Sequence, residues 1–169
     1  MSSIRRALTL ACVVTVVTVV TASGLSAQDY DAAPVDPSMG TWKVNLANSK
    51  FDPGPPLRSA TFTREPLEDE FFRETVDDVS AQGQAGHTEV TAKFDGEDYP
   101  NKGAQGANPT RAFRRIDDFT IEVVNKVDGK VTNSSRQMVS RDRKTMTVTF
   151  TGQSAQGQLI NDMRVFDKQ

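Results

Sequence analysis

The feature that most limits what this chain can fold into is a period-two alternation of apolar and polar residues, interrupted by turn residues and nowhere replaced by a helical stripe three turns long. Thr88, Val90, Ala92 and Phe94 alternate with His87, Glu89, Thr91 and Lys93, and Met146, Val148 and Phe150 alternate with Thr145, Thr147 and Thr149. Successive side chains of a strand point to opposite faces, so each run makes a half-buried antiparallel strand. Asp95-Gly96 and Asp128-Gly129 lie between such runs. Asp-Gly suits a tight hairpin because glycine accepts a positive φ without a Cβ clash. Ten strands are expected near residues 42–46, 58–65, 70–78, 86–94, 97–102, 110–116, 119–127, 130–140, 144–151 and 158–167. Neighbours in sequence pair in space, which gives an all-β, antiparallel up-and-down meander.

An open meander of this length would leave two exposed edges, and curling into a barrel removes them. The run 130–140 favours a barrel over a sandwich. One of its faces is Val131, Asn133, Ser135, Gln137 and Val139, and the other is Thr132, Ser134, Arg136, Met138 and Ser140. Neither supplies the dry inner surface a sandwich needs. A wet barrel interior accommodates this strand, and so does a place at the edge of a sheet.

The N-terminus reads as a targeting segment. Arg5 and Arg6 precede an apolar run from Ala7 to about Ala22, followed by Ser23-Gly24-Leu25-Ser26-Ala27 and then polar Gln28-Asp29. This is the order of a secretory signal, with cleavage placed after Ala27, and it implies a periplasmic or secreted protein with no stable membrane span once cleaved. An uncleaved anchor is the rival reading, for which the apolar run is short against the ~20 residues of a bilayer span. Cys12 leaves with the signal, so the mature chain is expected to hold no disulfide, no thiol nucleophile and no cysteine metal site. Residues 28–39, with Pro34 and Pro37, read as a flexible leader to a domain spanning 40–169. Loss of Arg5 and Arg6 takes the net charge from −2 to −4, which argues against nucleic acid as a partner.

Both ends of the expected barrel carry a resemblance. Gly40-Thr41-Trp42-Lys43-Val44 resembles the Gly-x-Trp opening of the calycin superfamily, the lipocalins and fatty-acid-binding proteins. Arg164-Val165-Phe166-Asp167-Lys168 resembles the closing Arg-x-Tyr segment of the fatty-acid-binding proteins, with Phe166 in place of the tyrosine. Bacterial secreted lipocalin-like proteins are the nearest grouping. The resemblance implies a calycin-like barrel of about ten strands that holds a small hydrophobic or amphipathic, fatty-acid-like ligand. Arg164 would meet the head group and Arg136 is the fallback second donor, while Phe94, Ile121, Val123, Met146, Val148, Phe150 and Phe166 would form the apolar lining. Gly40 and Trp42 are structural, with the indole plugging the narrow end and an arginine stacked on its face. Asp162, two residues from Arg164 and so on the same face, is the alternative partner for that guanidinium. Fatty-acid-binding proteins insert a helical pair after the first strand; here Pro53, Pro55 and Pro56 forbid one.

No catalytic constellation is evident and no cofactor is implied. The single His87 sits on a polar strand face, and no Gly-x-Ser-x-Gly elbow is present. Asp77-Asp78 and Asp117-Asp118 match no calcium loop and read as turn residues. Arg141-Asp142-Arg143-Lys144 reads as a solvated hairpin tip. Two other functions stay open beside ligand binding. One is a barrel filled by side chains whose loops meet another protein of the cell envelope, and the other is a barrel enzyme using cavity carboxylates such as Glu74 or Asp162.

Overall fold

Gly40 begins the first of ten strands in the computed structural model, which describes residues 35–153 and 157–169. The expected signal and residues 28–34 lie outside the described residues. The strands are β1 (Gly40–Lys50), β2 (Ser59–Pro66), β3 (Phe72–Val79), β4 (Ala85–Ala92), β5 (Asp95–Pro100), β6 (Pro109–Asp117), β7 (Thr120–Val127), β8 (Lys130–Val139), β9 (Thr145–Gln153) and β10 (Leu159–Lys168). They form one antiparallel sheet of order β4-β3-β2-β1-β10-β9-β8-β7-β6-β5. First and last strands are therefore neighbours, with Trp42 opposite Lys168 and Val44 opposite Phe166. The sheet's two edges, β4 and β5, curl toward each other and are joined by one bridge. In it, Glu89 N donates to Lys102 O (3.0 Å) and Lys102 N donates to Glu89 O (2.8 Å). The result is a nearly closed barrel, as the alternation and the edge argument anticipate.

Local sequence explains the connections. Asp128 and Gly129 both take positive φ, 50° and 73°, the conformation a two-residue hairpin requires between β7 and β8. Asp95-Gly96 behaves differently: it opens β5 at an irregularity in the β5–β6 pairing, and β4 and β5 form no hairpin ladder across it. β8 lies between β7 and β9, so it is an interior strand and the edge alternative falls. Its inward face is Asn133, Ser135, Gln137 and Val139.

One end of the barrel is filled. Trp42, Phe72, Phe113 and Met146 are fully buried there, in two apolar clusters centred on Trp42 and on Phe72. Trp42 stacks near Phe62 (6.3 Å between centroids) and its Nε1 donates to Ser38 O (3.0 Å). The cation over the indole is Lys168, 5.0 Å from the ring centroid, and not the expected arginine, because the β1–β10 register sets Lys168 directly across. Residues 35–39, assigned to the leader on sequence, fold beneath this end. Ser38 is buried, its N–H donates to Asp36 Oδ1 (2.8 Å), and Asp36 is ion-paired with Arg115 of β6. A short ion-paired turn carrying a buried serine cannot act as a loose tether.

At the other end, the proline segment between β1 and β2 forms a non-helical strap. Asp52 N donates to Asp162 Oδ1 (2.9 Å) and Asn161 N donates to Asp52 O (2.8 Å), which ties the strap to β10.

The seam between β4 and β5 generates a test. Gly103, at φ 78° beside Lys102, packs so close to His87 that a Cβ would collide with its carbonyl oxygen. Gly103→Ala is expected to destabilise the barrel by about 1–3 kcal/mol in urea titrations. Amide exchange at Glu89 and Lys102 should accelerate more than at the β1–β10 pairing.

Candidate functional site

Strand alternation carries charge into the barrel. β2 turns Ala60, Phe62 and Arg64 inward, and β3 turns Phe72, Glu74, Val76 and Asp78 inward. Register sets Arg64 directly opposite Glu74. The two form an ion pair that is almost wholly buried, with Arg64 Nε also donating to Glu74 Oε2 (3.2 Å). Arg64 Nη2 donates to Gln137 Oε1 of β8 (3.0 Å). From β6, Arg111 Nη1 donates to Glu74 Oε1 (2.8 Å) and Arg111 Nε to Asn125 Oδ1 (2.7 Å). Asn125 Nδ2 in turn donates to Asn133 Oδ1 (2.8 Å). One network thus links five strands.

Burying a guanidinium is expensive unless its charge is met from several sides. Arg64 has no solvent exposure, and four phenyl rings surround it: Phe62, Phe72, Phe94 and Phe113 have centroids 5.6, 5.3, 5.7 and 5.6 Å from Cζ. Its Nη1 has no hydrogen-bond partner among the described residues. Cation–π attraction, worth ~2 kcal/mol or more when desolvated, supplements the ion pair. For Glu74, burial alone would push the carboxyl up. The charges and hydrogen bonds of Arg64 and Arg111 outweigh it and hold the group below its ordinary 4.5, so Glu74 is ionised at neutral pH.

Above this network the barrel is hollow. A cavity of about 230 Å³ has apolar lining from Leu57, Ala60, Phe62, Val76, Val123, Val148 and Phe166, and polar lining from Glu74, Arg111, Asn125, Ser135 and Gln137. It shares Asp78, Arg111, Asn125, Phe150 and Arg164 with a wider vestibule of about 500 Å³ toward the turns.

Of the residues expected to bind ligand, Val123, Val148, Phe150, Phe166 and Arg164 line this cavity. Ile121, Met146 and Phe94 do not, because they pack in the filled end, Ile121 and Phe94 against Phe72 and Phe113, and Met146 with Trp42. Arg136 is exposed on the outer face of β8, since the inward phase of that strand falls on the odd numbers. Arg164 takes the partner that the same-face spacing offered. Its Nη2 and Nε donate to Asp162 Oδ2 (2.6 and 3.2 Å), and the guanidinium lies over Phe150 (4.4 Å) and Phe51 (5.3 Å). Both oxygens of Glu74 and both of Asp162 accept hydrogen bonds within the barrel wall. Sequence reasoning missed Arg64, Arg111 and Asn125, and set Asn133 and Gln137 on a face suited to a wet interior without assigning them to the site. The available signal was phase: Arg64 is in step with Ala60 and Phe62, and Gln137 with Val139.

The chain matches no protein-family model and no curated protein. Its fold does have counterparts among solved structures. The architecture is a nearly closed, calycin-like barrel. The fluorescent protein UnaG, in its wild-type form, superposes with a TM-score of 0.57 at 16% identity over 80% of this chain and 99% of its own. A point mutant of UnaG gives 0.57 and 16% over 80% of this chain and 98% of its own.

The network makes a pH prediction. Because folding lowers the Glu74 pKa, its contribution is fully present above about 4.5 and is lost as pH falls through the lower folded value. Glu74→Gln is expected to cost about 3–5 kcal/mol at pH 7 by stranding buried guanidinium charge. Urea midpoints measured from pH 7 to pH 2 should show a steep acid loss in the wild type and a shallower one in the variant.

Proposed function

We propose that this protein is an exported binding protein that holds a small amphipathic molecule inside its barrel. The half-filled lumen carries the reading: a bounded cavity of about 230 Å³ that presents hydrocarbon wall and hydrogen-bonding groups to the same space. That mixture is the usual make-up of a small-molecule site. Each methylene moved from water onto Phe62, Val148 and Phe166 would contribute ~0.8 kcal/mol. Groups such as Asn125 and Gln137 would orient a polar end. The inner space is small, so a long acyl chain would extend into the vestibule. The calycin-like fold supports the reading, and export rests on the order of charged, apolar and small residues in the first 27 positions. Placement beside bacterial secreted lipocalin-like proteins belongs to the same proposal.

A lumen filled by side chains, which a purely loop-mediated interaction module would have, occurs here only at the closed end. Mass spectrometry of the protein released under native and denaturing conditions should reveal a compound that departs on unfolding. Ser135→Phe places a ring in the cavity and is expected to abolish that retention and the displacement of a fluorescent fatty acid, with the barrel's circular dichroism preserved. Retention unaltered by the added ring would place the ligand elsewhere. N-terminal sequencing of the mature protein checks the export half, with residue 28 expected first.

A further inference from the structure

Among the described residues four arginines have an inward phase, and their charge balance differs: Arg115, at the closed end, is paired with Asp36. Arg164 spends two donors on Asp162, its own carboxylate. Arg64 and Arg111 share one carboxylate, Glu74, so the buried network carries an excess positive charge. Arg64 is sealed off, with no exposure. Arg111 is not: its side chain keeps 17% exposure and lines both the inner cavity and the vestibule. Its Nε and Nη1 are committed to Asn125 and Glu74, and its Nη2 makes no hydrogen bond among the described residues.

We propose that the molecule held in the barrel is an anionic amphiphile whose head group docks on Arg111 of β6, and not on Arg164 of the last strand. This rests on the binding reading above, keeps the fatty-acid-like class that the resemblance implies, and adds the anchor. A carboxylate or similar oxyanion at Arg111 Nη2 would offset the excess charge of the Arg64–Glu74–Arg111 cluster through a charge-assisted hydrogen bond in a poorly solvated space. The surroundings of Arg164 disfavour the same group. Asp162 is bound to it, and Asp78, whose side chain forms no hydrogen bond or ion pair among the described residues, lines the two chambers that Arg111 and Arg164 share and also the third that only Arg164 of the two lines. Asp78 Oδ1 lies against Gly86 of β4, where an added Cβ would sit 2.6 Å away. An anion near the rim would meet this carboxylate unscreened. Glu74 and Asp78 are four residues apart on β3, ~13 Å along the strand, so the Arg111 contact lies well inside it.

The test compares octanoate with octanol, which share a chain length and differ in head-group charge, by displacement of a fluorescent probe from the full-length protein. The wild type is expected to prefer octanoate by roughly tenfold to a hundredfold, the scale of one charge-assisted hydrogen bond. Arg111→Gln should erase that preference while octanol still binds. Should Arg111→Gln lose its thermal transition, Arg111→Lys is read the same way, with a reduced preference expected. If neither compound binds the wild type, the binding reading itself fails. If both bind the wild type equally, or the preference survives Arg111→Gln and disappears in Arg164→Gln, the anchor assigned here is wrong.

Discussion

The ion pair between Arg64 and Glu74 is the contact on which the rest of the interior depends. It forms only in the register that sets these two residues opposite each other, and a slip of β3 by one residue against β2 would turn Glu74 outward together with Phe72 and leave Arg64 without its carboxylate. A buried pair of this kind contributes little net stability over a packed apolar alternative. Its effect is to fix which strands face which. Through Gln137, Arg111 and Asn125 it ties β2 and β3 to β6, β7 and β8 across the lumen. It also divides the barrel into a dry floor of aromatic rings and a hollow upper half with hydrogen-bonding walls.

Much of the fold is legible in the sequence because alternation is a local signal. The strands expected from the runs around Val90 and Val148 lie where the structure has β4 and β9, and Asp128-Gly129 announces its hairpin by residue type alone. β8 was informative for the opposite reason. Asn133, Ser135 and Gln137 on one face could not line a dry core, and they line a wet one. The site was less legible because it is made by pairing across the lumen. Arg64, Glu74 and Arg111 lie on three strands, and nothing in the local pattern of β6 shows that its arginine reaches a glutamate on β3. Arg136 was drawn into the expected site for want of a strand phase, which for a strand with two polar faces only its neighbours can fix.

The likeness to fatty-acid-binding proteins at the two termini is of unequal weight. Trp42 keeps its place as a plug, joined to the N-terminal turn through Ser38. The closing segment keeps its arginine but changes that residue's circumstances. Phe166 offers no hydroxyl, and Asp162 binds the guanidinium from the same strand face. The charge surplus lies on another strand. A shared fold does not carry a shared site with it, and function has to be argued from the residues present.

Closure of the cylinder by one pair of backbone hydrogen bonds between Glu89 and Lys102 has a mechanical consequence. Two such bonds are worth about 1–3 kcal/mol net, a small part of the ~5–15 kcal/mol that holds a domain together. Among the strand pairings, this slit is where the wall parts at least cost. Sideways parting there would draw Val90 and Ala92 of β4 away from Phe113 and Ile121, so the slit is held less by its own backbone bonds than by the apolar cluster packed behind it.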